Sequence, residues 1–271
     1  MGPPSSADTR WGNLWNHPHR SDHASLEVTD VLLVYRLTTI FGYISSVLLL
    51  LLILILVILQ NVFRNQRLFD PVIKGLCRQI PRNFGIKVQV EGNLNLDPSR
   101  GYVFFSNHVN IFDPILLYGY IPLFLRGIER EEHFSLPLWG TIVRQIGNIP
   151  ISQRDTKSAL NSLKIAGKII KDGTSIIIFP EGHRTRDGKL QTFKRGPFHL
   201  ARNAHTDMVP VVLKGLWEVK TIHSLFVKPG SIKIIFAEPI PAQSIQDTSD
   251  RDLRVKTRGL IQEILDQNSD A

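Results

Sequence analysis

The sequence predicts an α/β domain with a mixed, largely parallel sheet flanked by helices, preceded by one N-terminal transmembrane helix. Two observations lead to this prediction. Short β-rich runs alternate with helical patterns after residue 60, and a long uncharged run precedes them. The chain has 271 residues, of which 43% are hydrophobic, and this excludes a largely disordered protein. The single cysteine excludes an internal disulfide and a cysteine-rich metal site.

The first two segments differ sharply in polarity. Residues 1–36 are polar, with three basic and four acidic side chains, and are predicted to form a flexible tail. Residues 37–59 carry no charge, and Val47–Leu59 is entirely aliphatic. A helix of that length rises about 35 Å, enough to cross a hydrocarbon core of about 30 Å, which predicts a transmembrane helix. A buried core helix is the alternative, although such helices are usually shorter. A signal peptide fits poorly because no small-residue cleavage site follows.

The segment 60–85 is basic and is predicted to lie on the membrane surface. Only Asp70 opposes its basic side chains, which are Arg64, Arg67, Lys74, Arg78 and Arg82. Positive charge on this flank predicts a single-pass protein with residues 60–271 in the cytoplasm. The same charges favour contact with anionic lipid headgroups. They can also serve only as a topology signal, and the two interpretations are compatible.

Residues 86–271 form the predicted α/β domain. Strands are predicted at Ile86–Val90, Tyr102–Phe105, Ser175–Phe179, Met208–Leu213 and Ser231–Ala237. Helices are predicted at Pro137–Ile146, Thr156–Lys171, Gly196–Asn203 and Asp250–Leu265. The net charge of +8 indicates an anionic partner, namely nucleic acid, a membrane surface or a phosphorylated substrate. A nucleic-acid partner is disfavoured because the sequence contains no recognised reader motif.

Polar side chains follow the second predicted strand directly. His108 comes just after this strand, and Asp113 lies five residues further along. A carboxylate beside an imidazole fixes its tautomer and stabilises its charged form, which is the arrangement of a general base. The His-x4-Asp spacing alone is a weak pattern, and without the preceding strand a structural histidine would be the simpler interpretation.

A second group of charges follows the strand Ser175–Phe179. Glu181, Arg184 and Arg186 lie in a glycine-containing loop, and Arg154 follows another short apolar segment. Loops after strands border the ligand crevice of α/β domains. Arginines there can hold a phosphate or carboxylate through paired hydrogen bonds. The alternative is a solvated basic loop, the usual meaning of a charge run.

Taken in order, these blocks closely resemble the glycerolipid acyltransferase family. The matching residues are Asn107-His108-Val-Asn-Ile-Phe-Asp113, Gly147 to Arg154, Phe179-Pro180-Glu181-Gly182-His183-Arg184-Thr185, Phe193-Lys194-Arg195-Gly196 and Val209-Pro210-Val211. The resemblance covers residues 86–241 and is nearest in type to the lysophosphatidate acyltransferases. Two positions depart from the pattern. His183 stands where threonine is usual, which could change head-group preference, and Gln153 stands where an acidic residue is common.

The resemblance implies a membrane-bound O-acyltransferase that makes phosphatidate for phospholipid synthesis. His108 would deprotonate the free hydroxyl of lysophosphatidate, and Asp113 would orient His108. The hydroxyl would attack the thioester of acyl-CoA or an acyl carrier protein, with no cofactor and no metal. Glu181, Gly182 and Arg184, together with Arg154, would bind the acceptor phosphate. Two alternatives are another lysolipid acceptor and a non-enzymatic, membrane-anchored lipid-binding module, although a binding module has no use for the His108–Asp113 pair.

Overall fold

The computed structural model describes residues 22–92 and 95–267, with side chains from residue 33 onward. It confirms the predicted fold class, because a seven-stranded, mostly parallel sheet is flanked by helices and follows one long apolar helix. The strands are β1 Ile86–Gly92, β2 Val103–Ser106, β3 Leu125–Arg130, β4 Ile149–Ile151, β5 Ser175–Ile178, β6 Met208–Lys214 and β7 Gly230–Phe236. A short 3-10 helix spans Glu131–Ser135.

Nine α-helices are present in the described part of the chain. They are α1 Asp22–Val62, α2 Asp70–Arg82, α3 Asp113–Tyr120, α4 Trp139–Ile146, α5 Thr156–Lys171, α6 Gly196–Ala204, α7 Leu216–Val219, α8 Ala242–Asp247 and α9 Asp250–Asp266. Helix α5 has the predicted bounds, and the Asp155 side chain caps its start by accepting from the Lys157 N–H at 2.8 Å.

The sheet order is β1-β7-β6-β2-β5-β3-β4, and its only antiparallel pair is β6 with β7. Strands β2 and β5 are parallel neighbours, with Phe105 opposite Ile178. The loops that follow them therefore leave the same edge of the sheet side by side. This topology brings the His108 block and the Glu181–Arg184 block together, although about 70 residues separate them in sequence.

Strands β3 and β4 are absent from the strands predicted from the sequence. Strand β3 has the sequence Leu-Arg-Gly-Ile-Glu-Arg, in which three charged residues interrupt the alternation of apolar residues. Strand β4 has three residues, too few to show an alternation. The five predicted strands all form, with bounds that move by at most two residues. Their side chains divide between two cores. Phe104 and Ile177 face the core beneath α1, α2 and α3, whereas Phe105 and Ile178 face the core beneath α5, α6 and α9.

Helix α1 starts earlier than predicted and packs against the domain. Residues 22–36, assigned to the tail by sequence, belong to this helix, and residues 1–21 lie outside the described part of the chain. Its apolar stretch Leu33–Val62 is long enough to cross a membrane. Gly42 lies so close to the Phe84 ring that a Cβ there would approach it to 2.3 Å. Only glycine permits this packing without a shift of Phe84.

The basic segment 60–85 contributes helix α2 to the domain, and its contact with a membrane surface remains a prediction. Its residues 70–82 form α2, an amphipathic helix whose buried face packs on α3. Lys74 is buried and donates to the carbonyls of Ile121 and Leu123 at 2.9 and 2.6 Å. Arg78 donates to the Gly119 carbonyl at 2.6 Å. Amphipathic spacing, rather than the sign of the charge, decides which way these side chains point.

Candidate active site

His108 and Asp113 form a close pair, as predicted. The Nδ1 atom of His108 lies 2.5 Å from Oδ2 of Asp113, which is fully buried at the first turn of α3. The carboxylate also accepts the backbone N–H groups of Val109 at 2.5 Å and Asn110 at 3.0 Å. Because Asp113 can only accept from Nδ1–H, the neutral ring keeps its lone pair on Nε2, the atom that a general base uses.

Two asparagines hold the loop that carries this pair. Asn107 pairs with Leu213 of β6 as another strand residue would, donating to its carbonyl at 2.9 Å and accepting its N–H at 2.8 Å. Asn110 donates to the carbonyls of Leu216 and Lys220. Both asparagine side chains are buried and fully engaged, so they fix the loop through hydrogen bonds that water cannot replace.

An apolar cavity is lined by the ring on which His108 stacks. The imidazole stacks on the Phe179 ring with centroids 4.1 Å apart and an angle of 15° between the planes. Phe179 also lines a cavity of about 60 Å³, whose walls come from strands β3 and β5 and from helices α1 to α4. Leu50 and Ile53 of α1 and Ile142 of α4 are among its lining residues. His108 therefore has the Asp113 carboxylate at Nδ1 and, on its ring face, the Phe179 ring that lines the cavity.

Glu181 is a buried carboxylate of the candidate site. Its side chain is 1% exposed, Oε1 accepts the His108 N–H at 2.7 Å, and Oε2 accepts the Gln191 N–H at 2.7 Å. Burial raises the pKa of the Glu181 carboxyl, and the two N–H donors lower it in part. With both oxygens engaged, the carboxylate joins the His108 loop to the loop after β5. These contacts favour a positioning role for Glu181, and its predicted contact with the acceptor phosphate remains a prediction.

Replacing Glu181 with glutamine tests this positioning role. The NH₂ group of Gln would face a backbone N–H, so one buried donor would lose its partner at a cost of about 1–3 kcal/mol. We expect a lower free energy of unfolding in denaturant titrations of the detergent-solubilised protein. Glu263→Gln, an exposed site on α9, is the matched control and should change stability by less than about 0.5 kcal/mol. Equal stability of the two variants would contradict the assignment.

The predicted phosphate-binding residues are brought to the same edge of the sheet. Arg184 and Arg154 are exposed there. The Gln153 side chain donates to the Gly182 carbonyl at 2.7 Å, and this bond joins the segment Gly147 to Arg154 to the segment Phe179 to Thr185. Gly182 has a φ of +75°, and a Cβ at this position would lie 2.6 Å from Cε of Lys194. The glycine therefore allows Lys194 to pass directly over the loop.

Two basic residues of the site were not assigned a role from the sequence. Lys194 lies against Gly182. It belongs to the matching segment Phe193-Lys194-Arg195-Gly196, which could have identified it as a site residue. Lys220 is buried, and burial together with the nearby positive charge of Arg184 lowers its pKa. It lies 36 positions after Arg184, and no local pattern marks it. Only folding brings Lys220 close to Arg184.

Comparisons with known proteins agree with this geometry. A family model described as Acyltransferase matches residues 87–214. A 1-acyl-sn-glycerol-3-phosphate acyltransferase from Limnanthes douglasii is 30% identical over 177 residues, covering 64% of this chain and 60% of the relative. The human 1-acyl-sn-glycerol-3-phosphate acyltransferase alpha is 26% identical, with 64% and 62% covered. The chain thus spans about three fifths of the length of these relatives.

A solved structure shares the fold. The 1-acyl-sn-glycerophosphate acyltransferase PlsC from Thermotoga maritima superposes with a TM-score of 0.74 at 19% identity, covering 88% of this chain and 99% of that one. The family match begins in β1, ends with β6, and includes both loops of the candidate site. Residues 87–214 of this chain are therefore similar to the Acyltransferase family model from β1 to β6, and the chain shares the fold of PlsC.

Proposed function

We propose that this protein transfers a fatty acyl chain from a thioester to the free hydroxyl of lysophosphatidate, forming phosphatidate. The observation that supports the proposal most directly is the 2.5 Å pair of His108 and Asp113 at the edge of the sheet. The Phe179 ring that stacks on His108 lines an apolar cavity, and Lys194 lies against Gly182 in the loop after β5. An apolar chain and a phosphate are the two recognition features that this reaction requires.

The proton transfers follow from the tautomer of His108. Nε2 removes the proton from the acceptor hydroxyl as its oxygen attacks the thioester carbonyl. The charged ring is stabilised by the Asp113 side chain at Nδ1. Collapse of the tetrahedral intermediate breaks the C–S bond, and the leaving thiolate takes the proton back from Nε2. This transfer needs no covalent acyl-enzyme, and the thioester is the only co-substrate.

The donor chain is proposed to enter the cavity beside Phe179. The lining side chains are mostly aliphatic or aromatic, so an acyl chain would be buried without losing hydrogen bonds. Typical pockets for ligands of this size hold about 300 Å³ or more, so this cavity must widen to accept a long chain. Its walls include α1 and α4, and separation of these helices is the simplest route. Acyl-CoA and acyl carrier protein both supply the required thioester.

The acceptor phosphate is proposed to bind at Arg184 and Lys194. Burial and the charge of Arg184 lower the pKa of Lys220, whose Nζ donates to the carbonyls of Thr221 and Ser224. An anion bound at Arg184 would relieve the repulsion between these two cations. Gly182 lets Lys194 approach, and Arg154 adds a further exposed cation. His183, which replaces the usual threonine, is exposed in the same loop, so another lysolipid acceptor is the second candidate.

Membrane association is proposed to occur through α1. The predicted single-pass crossing places the domain on the cytoplasmic side, and it remains a prediction. Helix α1 contacts the domain at positions far apart along its length. Thr39 donates a hydrogen bond to the Val227 carbonyl, and Asn61 donates one to the Gln145 carbonyl. These residues are about 33 Å apart along the helix, more than a hydrocarbon core of about 30 Å. A crossing helix would have to leave part of these contacts, so we infer that packed α1 lies along one membrane face.

A purified-enzyme assay tests the proposed reaction. Protein in detergent–lipid micelles is given acyl-CoA or acyl carrier protein thioester and a panel of lysolipids with and without a terminal phosphate. We expect transfer to lysophosphatidate at the highest kcat/KM. Preferred transfer to a different lysolipid would favour the second candidate. Failure to transfer to any acceptor would contradict the enzymatic proposal and support a lipid-binding module.

The Arg184→Ala variant tests the phosphate site in the same assay. Loss of a charge-assisted hydrogen bond should raise the KM for lysophosphatidate about tenfold or more and leave the KM for the thioester nearly unchanged. Arg251→Ala, which removes an exposed arginine of α9, is the matched control. An equal rise in both KM values would remove Arg184 from the acceptor site.

A further inference from the structure

The loop between α7 and β7 exposes two large apolar side chains at its tip. In this segment, residues 221–228, Leu225 is 80% exposed and the adjacent Phe226 is 52% exposed. Single exposed apolar residues are common on proteins, but a neighbouring pair at a loop tip has no role in the domain core. These two side chains are therefore available to a surface outside the protein.

The 221–228 loop is bonded directly to α1. The hydroxyl of Tyr43 donates to the Leu225 carbonyl at 2.8 Å, and Thr39 both donates to and accepts from the backbone of Val227 at 3.3 Å. These α1 residues lie inside the apolar stretch Leu33–Val62. Their neighbours Ile40, Phe41 and Ile44 are also exposed. The loop tip thus lies within one side-chain length of the exposed apolar helix.

The backbone carbonyls at the tip of the loop have side-chain hydrogen-bond donors. Each carbonyl from residue 224 to 227 accepts a side-chain hydrogen bond, from Lys220, Tyr43, Ser224 and Thr39 in turn. A loop in water does not need these partners. Hydrocarbon offers none, so a segment that enters it must satisfy its polar backbone internally. The combination of an apolar tip with engaged carbonyls favours a lipid environment over water.

We propose that the 221–228 loop enters the lipid bilayer beside α1, as a second membrane contact contributed by the C-terminal half of the chain. The proposal rests on the proposed membrane association of α1. The two contacts together would set the depth and tilt of the domain. The base of the loop is also linked to the proposed acceptor site. Lys220 donates to the loop carbonyls of Thr221 and Ser224, and burial together with the positive charge of Arg184 lowers the pKa of Lys220.

Fluorescent labelling at single sites tests the insertion. Cys77 is buried and its pKa is raised to about 12, so it reacts slowly with thiol reagents. An environment-sensitive fluorophore is attached to Leu225→Cys in the full chain, which is added to vesicles of phosphatidylcholine and phosphatidylglycerol with or without nitroxide-labelled acyl chains. We expect a blue-shifted emission and quenching by the nitroxide lipids. Val255→Cys on α9, 65% exposed, is the matched control and should keep its emission in water.

A label at Leu37→Cys on α1 distinguishes failure of the loop-insertion proposal from failure of the proposed membrane association of α1. Quenching at Leu37 with water-like emission at Leu225 would overturn the loop proposal and leave membrane association intact. Water-like emission at both positions would overturn the association on which it rests. A blue shift at Leu225 that depends on protein concentration and is not quenched by nitroxide lipids would show contact with a second copy, which also contradicts the proposal.

The Leu225→Asp/Phe226→Asp double variant gives an independent measurement. Removing two apolar side chains from the bilayer should weaken partition of the full chain into the same vesicles at least tenfold in a flotation assay. Val255→Asp should leave partition unchanged. Unchanged partition of the double variant, with its circular dichroism spectrum intact, would count against insertion of the loop.

Discussion

Replacing His108 with alanine is expected to lower kcat for acyl transfer by about 10²–10⁴-fold, because the variant has no group that can accept the hydroxyl proton. His108 is the proposed base because Asp113 occupies its Nδ1 at 2.5 Å, so Nε2 keeps the lone pair that can accept a proton. The measurement is the rate of thiol release from acyl-CoA with saturating lysophosphatidate. The KM for either substrate should change much less than kcat, since the imidazole acts mainly in the transition state.

His199→Ala is the matched control for that variant. His199 is also near a carboxylate, with Nε2 3.3 Å from Oδ2 of Asp250, but it lies on α6 and is partly exposed. Its removal should leave turnover unchanged. Turnover of His108→Ala at the wild-type rate would disprove the general-base role, provided that far-ultraviolet circular dichroism shows both variants folded.

Replacing Phe84 with alanine is expected to reduce the free energy of unfolding by about 3–5 kcal/mol, the usual cost of deleting a buried aromatic ring. Phe84 is fully buried, and its ring makes edge contacts with Tyr43 of α1 and with Phe112, each at a centroid distance of 5.2 Å. Phe112 directly precedes Asp113. The cavity left by the ring would therefore loosen both the attachment of α1 and the support of the catalytic loop.

Denaturant titration in detergent solution measures the Phe84 effect, and Phe63→Ala supplies the control. Phe63 is exposed just after the end of α1, so its truncation should change stability by less than about 0.5 kcal/mol. We also expect Phe84→Ala to lower kcat, because Asp113 would orient His108 less well. Similar unfolding free energies for the two variants would show that Phe84 does not join α1 to the domain.

Segment 60–85 shows that the number of charges alone does not say what each charged side chain contacts. The sequence shows five basic side chains after an apolar helix, and this pattern fits headgroup contact, which remains a prediction for the segment. In the fold, two of the five, Lys74 and Arg78, donate to backbone carbonyls of the domain. The face of a helix that packs inward determines whether a basic side chain contacts water, lipid or a backbone carbonyl. The buried face of α2 is the one that packs on α3.

Glu181 shows the same limit within the candidate site. Its place in the segment Phe179 to Thr185 predicts contact with the acceptor, whereas its carboxylate accepts N–H groups from two separate loops. One of these donors, His108, is 73 positions away in sequence. A periodicity or a motif reports on residues that are near in sequence, so it contains no information about such a partner.

Features that depend on the local order of residues could be predicted from the sequence. The apolar runs predicted five strands, and the spacing of His108 and Asp113 after β2 predicted a pair that a single short turn can close. The tertiary structure alone decided the strand order, the burial of Glu181 and Lys74, and the docking of residues 221–228 on α1. These depend on which distant segments meet, and that is set by the total packing of the sheet and helices rather than by any local pattern.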